Sequence, residues 1–139
     1  MKKTLVCMPF VLVLLFVMGC ASQEHQPMYS LSVELNKLTA TAEGYEYYAK
    51  PDPDMDSLEF LKKATEHDPG LLTPFDGYTL KVLRQDGHVS ILVCSPDGAQ
   101  ALLQDVGCTN KHDDHIWKQE SPCPCVQHGS VFSTCSPEE

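Results

Sequence analysis

Positive charge is scarce in this chain. Ten lysines and arginines stand against 19 aspartates and glutamates, for a formal net charge of −9. That sign repels phosphate backbones and anionic lipid surfaces. No basic stretch interleaved with aromatics occurs, which removes the usual nucleic-acid footprint. Long apolar runs are missing too. Leu5 to Met18 makes about 21 Å of helix at ~1.5 Å per residue, short of a hydrocarbon core about 30 Å thick. Pro9 in its middle opposes a permanent membrane helix further. There is no P-loop: "SPDG" at 95–98 lacks the glycine count and the lysine. No serine sits in a nucleophile-elbow glycine pattern. No Cys-x-x-Cys pair occurs, so neither a standard zinc set nor a thiol-exchange motif is present. Read this way, the chain is expected to be noncatalytic and to carry no cofactor or small-molecule ligand.

What is present begins with Lys2 and Lys3 followed by the short apolar segment, the layout of a secretory signal. The segment ends Val17-Met18-Gly19-Cys20. This resembles the lipobox of bacterial lipoproteins: an aliphatic residue, a loosely constrained one, Gly or Ala, then Cys. The resemblance covers residues 1–20 and does not extend to the folded part. It implies that the Cys20 thiol is joined to diacylglycerol through a thioether, and that residues 1–19 are then removed as a signal peptide. The lipidated protein is expected to be held in the membrane by its acyl chains, each buried CH₂ contributing about 0.8 kcal/mol. Palmitate would be among those chains. Ala21 is not aspartate, and in Gram-negative lipoproteins the resemblance then favours the periplasmic side of the outer membrane.

Loss of residues 1–19 takes Lys2 and Lys3 away and leaves 8 basic against 19 acidic residues, a formal −11. Residues 20–29 read as the lipidated cysteine and a short polar tether. "SQEHQP" at 22–27 reaches about 20 Å at most, so the domain would sit close to its membrane. Residues 30–139 read as one small α+β domain, with a cysteine-rich tail from 108.

Within that domain, Leu31, Leu35, Leu38 and Ala42 recur at helical spacing, giving a helix over about 30–42 with Gly44 as its stop. Tyr45, Tyr47 and Tyr48 are expected to pack a helix end with their hydroxyls exposed. A second helix spans about 54–67. Asp54 or Asp56 caps it, Glu59 completes a capping box, and Leu58, Leu61 and Ala64 form its apolar stripe beside Phe60. His67 suits the dipole at its end. Residues 78–95 read as a hairpin turning at Asp86-Gly87. Its second strand is apolar on both faces and so should be central. A third helix is expected over about 96–106, with Ser95 as cap, Pro96 at its first position and Gly107 as terminator. The tail is irregular, docked through Ile116 and Trp117, with "VFS" at 131–133 as an edge strand.

Five cysteines follow Cys20: Cys94, Cys108, Cys123, Cys125 and Cys135. An exported chain folds in an oxidising compartment, so disulfides are the default. A helix between Cys94 and Cys108 holds its ends about 16 Å apart, too far for a bridge. The expectation is therefore that Cys108 bonds Cys123 or Cys125, with Cys135 as a further candidate, and that Cys94 stays unpaired on its buried strand.

Two functional readings follow. The first is a membrane-anchored envelope lipoprotein, a noncatalytic binding or structural accessory to another envelope protein. The alternative is periplasmic metal binding or thiol redox chemistry. It would use Cys123-Pro124-Cys125 as thiolates for a soft ion and the imidazoles of His112-Asp113-Asp114-His115 at i, i+3.

Overall fold

The computed structural model describes residues 26–108 and 123–135. It is α+β: two α-helices and a four-stranded antiparallel sheet, with the strands in sequence order across it. Among the described residues, no helix is long and apolar enough to cross a membrane.

The first helix, α1, runs Gln26–Ala49 and is longer than its apolar spacing predicts. Leu31, Leu35, Leu38 and Ala42 are buried along one side, as that spacing requires. Gly44 lies inside the helix and does not end it. The stop comes at Lys50, which takes a left-handed φ of 47°, and at Pro51 behind it. Residues 26–29, read above as tether, are helical. Hydroxyl residues fit because they bond back into the helix. Thr39 Oγ1 donates to the Leu35 carbonyl at 2.9 Å and Thr41 Oγ1 to the Lys37 carbonyl at 2.9 Å.

The second helix, α2, spans Ser57–Ala64. Asp56 is its cap: the Leu58 and Glu59 N–H groups donate to Asp56 Oδ1 at 2.8 and 3.3 Å. Glu59 pairs with Lys63 one turn on, at 3.1 Å. The apolar stripe differs from the expected one. Phe60 and Leu61 are buried, whereas Leu58 is 54% exposed. The Phe60 ring decides this. It meets Tyr45 edge-on at 5.6 Å, and the Arg84 guanidinium lies 4.9 Å from its centroid. Tyr47 and Tyr48 are exposed and touch each other. A 3-10 helix, Pro69–Phe75, crosses to the sheet and buries Phe75.

Strands β1 (Thr79–Gln85) and β2 (His88–Cys94) form the expected hairpin. Asp86 and Gly87 both take positive φ, 54° and 84°, as a two-residue hairpin turn requires. β2 is central, and every residue of it from Val89 to Cys94 is buried.

The third expected helix is instead a strand, β3, Gln100–Val106, antiparallel to β2. The cap-like residues Ser95 and Asp97 close a turn. Ser95 Oγ donates to Asp97 Oδ1 at 2.5 Å, and the Gln100 N–H donates to Ser95 Oγ at 3.0 Å. Gly98 supplies the positive φ of 71°. The pairing register also shifts at one point. Val93 faces Leu103, but Cys94 faces Ala101, which leaves Leu102 as the extra residue of a bulge. That bulge interrupts the period-2 pattern, so the apolar spacing of 101, 102, 103 and 106 imitates a helix.

The sheet thus has two different coverings. On one face Val89, Ile91, Val93 and Leu103 pack with Leu31, Leu35, Leu38, Ala42, Phe60, Leu61 and Phe75 in the main core. On the other, Leu92, Cys94 and Ala101 form a smaller cluster with Cys125. The tail lies over this second face. β4, Cys123–Pro124, extends the sheet beside β3. Residues 131–133 are not an edge strand: they belong to a 3-10 helix, Gly129–Thr134, that packs against β1 and β2. Ser57 Oγ accepts the Val82 N–H at 3.1 Å and so covers part of the outer edge of β1.

Candidate functional site

The cysteines pair differently from expectation. Cys94 bonds Cys125, with Cα atoms 5.8 Å apart, and Cys108 bonds Cys135, at 5.6 Å. Cys123 joins neither bridge and is half-buried beside the cluster of Leu92, Cys94, Ala101 and Cys125. Two physical facts caused the misreading. Cys94 and Cys108 are separated by a strand and not by a helix, so the tail meets opposite ends of β2 and β3. The tail also runs back across the sheet, which brings Cys125 to the turn end and Cys135 to the far end. The Cys125 N–H donates to the Ala99 carbonyl at 3.1 Å, and Lys81 Nζ donates to the Cys125 carbonyl at 2.7 Å. Gln127 Nε2 reaches the Ser90 carbonyl at 3.1 Å.

This pairing affects the metal alternative directly. Cys125 shares its sulfur with Cys94, so Cys123-Pro124-Cys125 does not present two thiolates. His112, Asp113, Asp114 and His115 lie outside the described residues, as do Cys20, Ile116 and Trp117. His67 is exposed beyond the end of α2.

Chemistry-bearing groups converge at a place the sequence does not announce. Beside the Cys108–Cys135 bridge stands His88, the first residue of β2. A His88 ring nitrogen and the two sulfurs all lie within 4.8 Å of one another. His88 is itself oriented from α1. Its Nδ1 lies 2.9 Å from Glu43 Oε1, and a carboxylate only accepts, so Nδ1 carries the proton and donates. The other carboxylate oxygen, Glu43 Oε2, accepts the Val89 N–H at 3.0 Å. Both oxygens of Glu43 are therefore engaged, and its side chain is fixed against the sheet.

Gly107 makes this approach possible. A Cβ at that position would overlap the Glu43 side chain. The Gly107 N–H donates to the Val89 carbonyl at 2.8 Å, which holds the end of β3 on β2. Expected above to terminate a helix, Gly107 instead follows β3 and leaves room for a carboxylate. Cys108 comes next in the chain, so one close approach sets Glu43, His88 and the bridge together. Sequence reasoning missed His88 and Glu43, which are 45 residues apart. The only local hint was Gly107 beside Cys108.

Several other ionic groups are engaged in structure. Arg84 Nη2 donates to the Asp52 carbonyl at 2.6 Å, and its Nη1 lies 3.5 Å from Glu46 Oε2. Asn36 Nδ2 reaches the buried Asp105 Oδ2 at 3.4 Å. The Asp97 carboxyl is held below the ordinary 3.8 of an aspartate by the Ser95 hydroxyl and the Ala99 N–H. Comparison of the chain with protein-family models, curated proteins and solved structures returned no match.

Proposed function

We propose that this chain is an exported envelope lipoprotein, anchored through acylated Cys20, whose folded domain acts as a noncatalytic binding or structural accessory. The observation that carries the reading is the tail fastened by two disulfides, Cys94–Cys125 and Cys108–Cys135. Paired structural cysteines belong to oxidising compartments. The secretory and lipobox-like layout of residues 1–20 points to the same address. The accessory reading is supported by the ionic side chains: Glu43, Glu46, Asp56, Arg84 and Asp97 all have structural partners.

The start of α1 sharpens the geometry. Only residues 21–25 separate Cys20 from Gln26, a link of at most about 22 Å. The domain would therefore be held close to the lipid surface, with little freedom to search for distant partners. Metal binding or thiol exchange through Cys123-Pro124-Cys125 would first require Cys125 to leave its bridge to Cys94.

The test is fractionation of cells expressing the full chain and its Cys20→Ser variant. The wild-type chain is expected to incorporate labelled palmitate and to enter the detergent phase. The variant should do neither. Thiol alkylation before reduction should modify neither member of either bridge. Palmitate incorporation by Cys20→Ser, or alkylation of Cys94 and Cys108 without reductant, would overturn the proposal.

A further inference from the structure

We propose that His88, Cys108 and Cys135 form, once their bridge is opened, a binding site for a zinc-class divalent cation. The inference goes beyond the anchored-accessory reading and does not depend on it. Its ground is the convergence of three ligands of two types, imidazole and cysteine sulfur, with soft or borderline character. One imidazole nitrogen and two sulfurs lie within 4.8 Å of one another. Zinc takes thiolate sulfur at about 2.3 Å and imidazole nitrogen at about 2.0–2.1 Å in a tetrahedron. Ligand atoms around such an ion sit roughly 3.3–3.8 Å apart. The His-to-sulfur separations need to close only modestly, and the two sulfurs must part from a bonded pair. Three protein ligands leave a fourth position open for water.

The surroundings are those of a built ligand. A metal-bound histidine generally donates its other ring N–H to a carboxylate or carbonyl, which fixes its tautomer and orientation. Glu43 already serves His88 in that way at Nδ1, and Glu43 is itself held by the Val89 N–H. In the neutral ring with Nδ1 donating, Nε2 is the atom that offers a lone pair. Gly107 permits the arrangement, since any side chain there would displace Glu43. Glu43 is accordingly a positioning residue and His88 a ligand.

Disulfide and metal are mutually exclusive at these sulfurs. Opening the bridge takes two electrons and two protons from a dithiol, which becomes its cyclic disulfide; Cys108 and Cys135 become thiols. Binding the cation then releases two protons as both thiols become thiolates. The two bridges differ in access. Cys94 and Cys125 are buried, whereas Cys108 and Cys135 are partly exposed. The exposed bridge should open first under limiting dithiol, while Cys94–Cys125 still fastens the tail.

The experiment uses the full chain in detergent, treated with limiting dithiothreitol and then titrated anaerobically with cobalt(II), with zinc(II) in competition. A thiolate-to-cobalt charge-transfer band is expected, displaced by zinc. His88→Ala and Cys135→Ser should each weaken binding at least about 100-fold, and Glu43→Gln about 10–100-fold. Cys123→Ser should leave it unchanged. In parallel, zinc should slow alkylation of Cys108 and Cys135 selectively, and His88→Ala should abolish that protection. A band that survives His88→Ala or is lost in Cys123→Ser would overturn the proposal. So would zinc protection spread evenly over all five thiols or seen at none, the pattern of a chain that has lost its fold on reduction.

Discussion

The two faces of the sheet are covered by different kinds of force. The helix side buries Leu31, Leu35, Leu38, Phe60, Leu61 and Phe75 against Val89, Ile91, Val93 and Leu103. Its contacts are apolar, extensive and contributed by regular elements, so the hydrophobic effect suffices. On the tail side the described residues form a smaller cluster around Leu92, Ala101 and the Cys94–Cys125 bridge. There β4 is two residues long. Two covalent bonds, Cys94–Cys125 and Cys108–Cys135, fasten this part of the tail and offset ordering entropy. The lesson is that one small domain relies on burial where its elements are long and adds cross-links where they are short.

Predictions that break this contrast run from large to small. Phe60→Ala should cost the most, about 3–5 kcal/mol in denaturant unfolding, as a fully buried ring on the helix side. It also removes the ring beneath Arg84 and the edge contact with Tyr45. A loss under about 1 kcal/mol would show that the helix side is not the stability-bearing face. Next, the paired change Cys94→Ala with Cys125→Ala should cost about 3–4 kcal/mol from loop-closure entropy. In hydrogen exchange the Cys125 N–H should lose protection while the amides between β1 and β2 keep theirs. Equal loss across the sheet would mean the two faces are not separable.

Gly107→Ala should cost about 1–3 kcal/mol, because Glu43 is forced off the Val89 N–H and His88. An unchanged His88 imidazole resonance in that variant would refute the close approach. Leu58→Ala should stay within about 0.5 kcal/mol, since the side chain is exposed despite its place in the apparent apolar stripe. The last effect is confined to acid. The folded Asp97 carboxyl titrates below its unfolded value, so its contribution is present above the ordinary 3.8 and is lost as pH falls through the lower folded value. NMR titration of the Asp97 side chain should give a midpoint below 3.8, and Ser95→Ala should raise it.

How far the sequence could be read follows the same divide. On the helix side the periods of α1 and of the hairpin are unbroken, while α2 presents Phe60 and not Leu58 to the core. Leu31, Leu35, Leu38 and Ala42 mark α1, and Asp86-Gly87 between alternating strands marks the hairpin. The central place of β2 also follows from its two apolar faces. Legibility fails at Ser95. Ser-Pro-Asp-Gly has the chemistry of a helix cap and of a tight turn alike, because both use a short oxygen side chain to hold backbone N–H groups. The bulge at Leu102 then hides the strand period, and the third element is misread. That one error propagates to the cysteines, whose partners depend on the path of the tail. The α1 terminus was missed for a smaller reason: Gly44 is tolerated in a packed helix, and Lys50 with Pro51 makes the stop. The site at His88 was beyond reach, since its partners come from α1, the end of β3 and the tail.

The order of the bridges along the chain has a consequence for how the molecule survives a backbone cut. Cys94 pairs with Cys125 and Cys108 with Cys135, so the two closed rings overlap. A protease that nicks the backbone once, at any peptide bond between residues 94 and 135, produces two pieces still joined by at least one bridge. Such a nicked molecule keeps its mass, apart from one added water, until a reductant separates the halves.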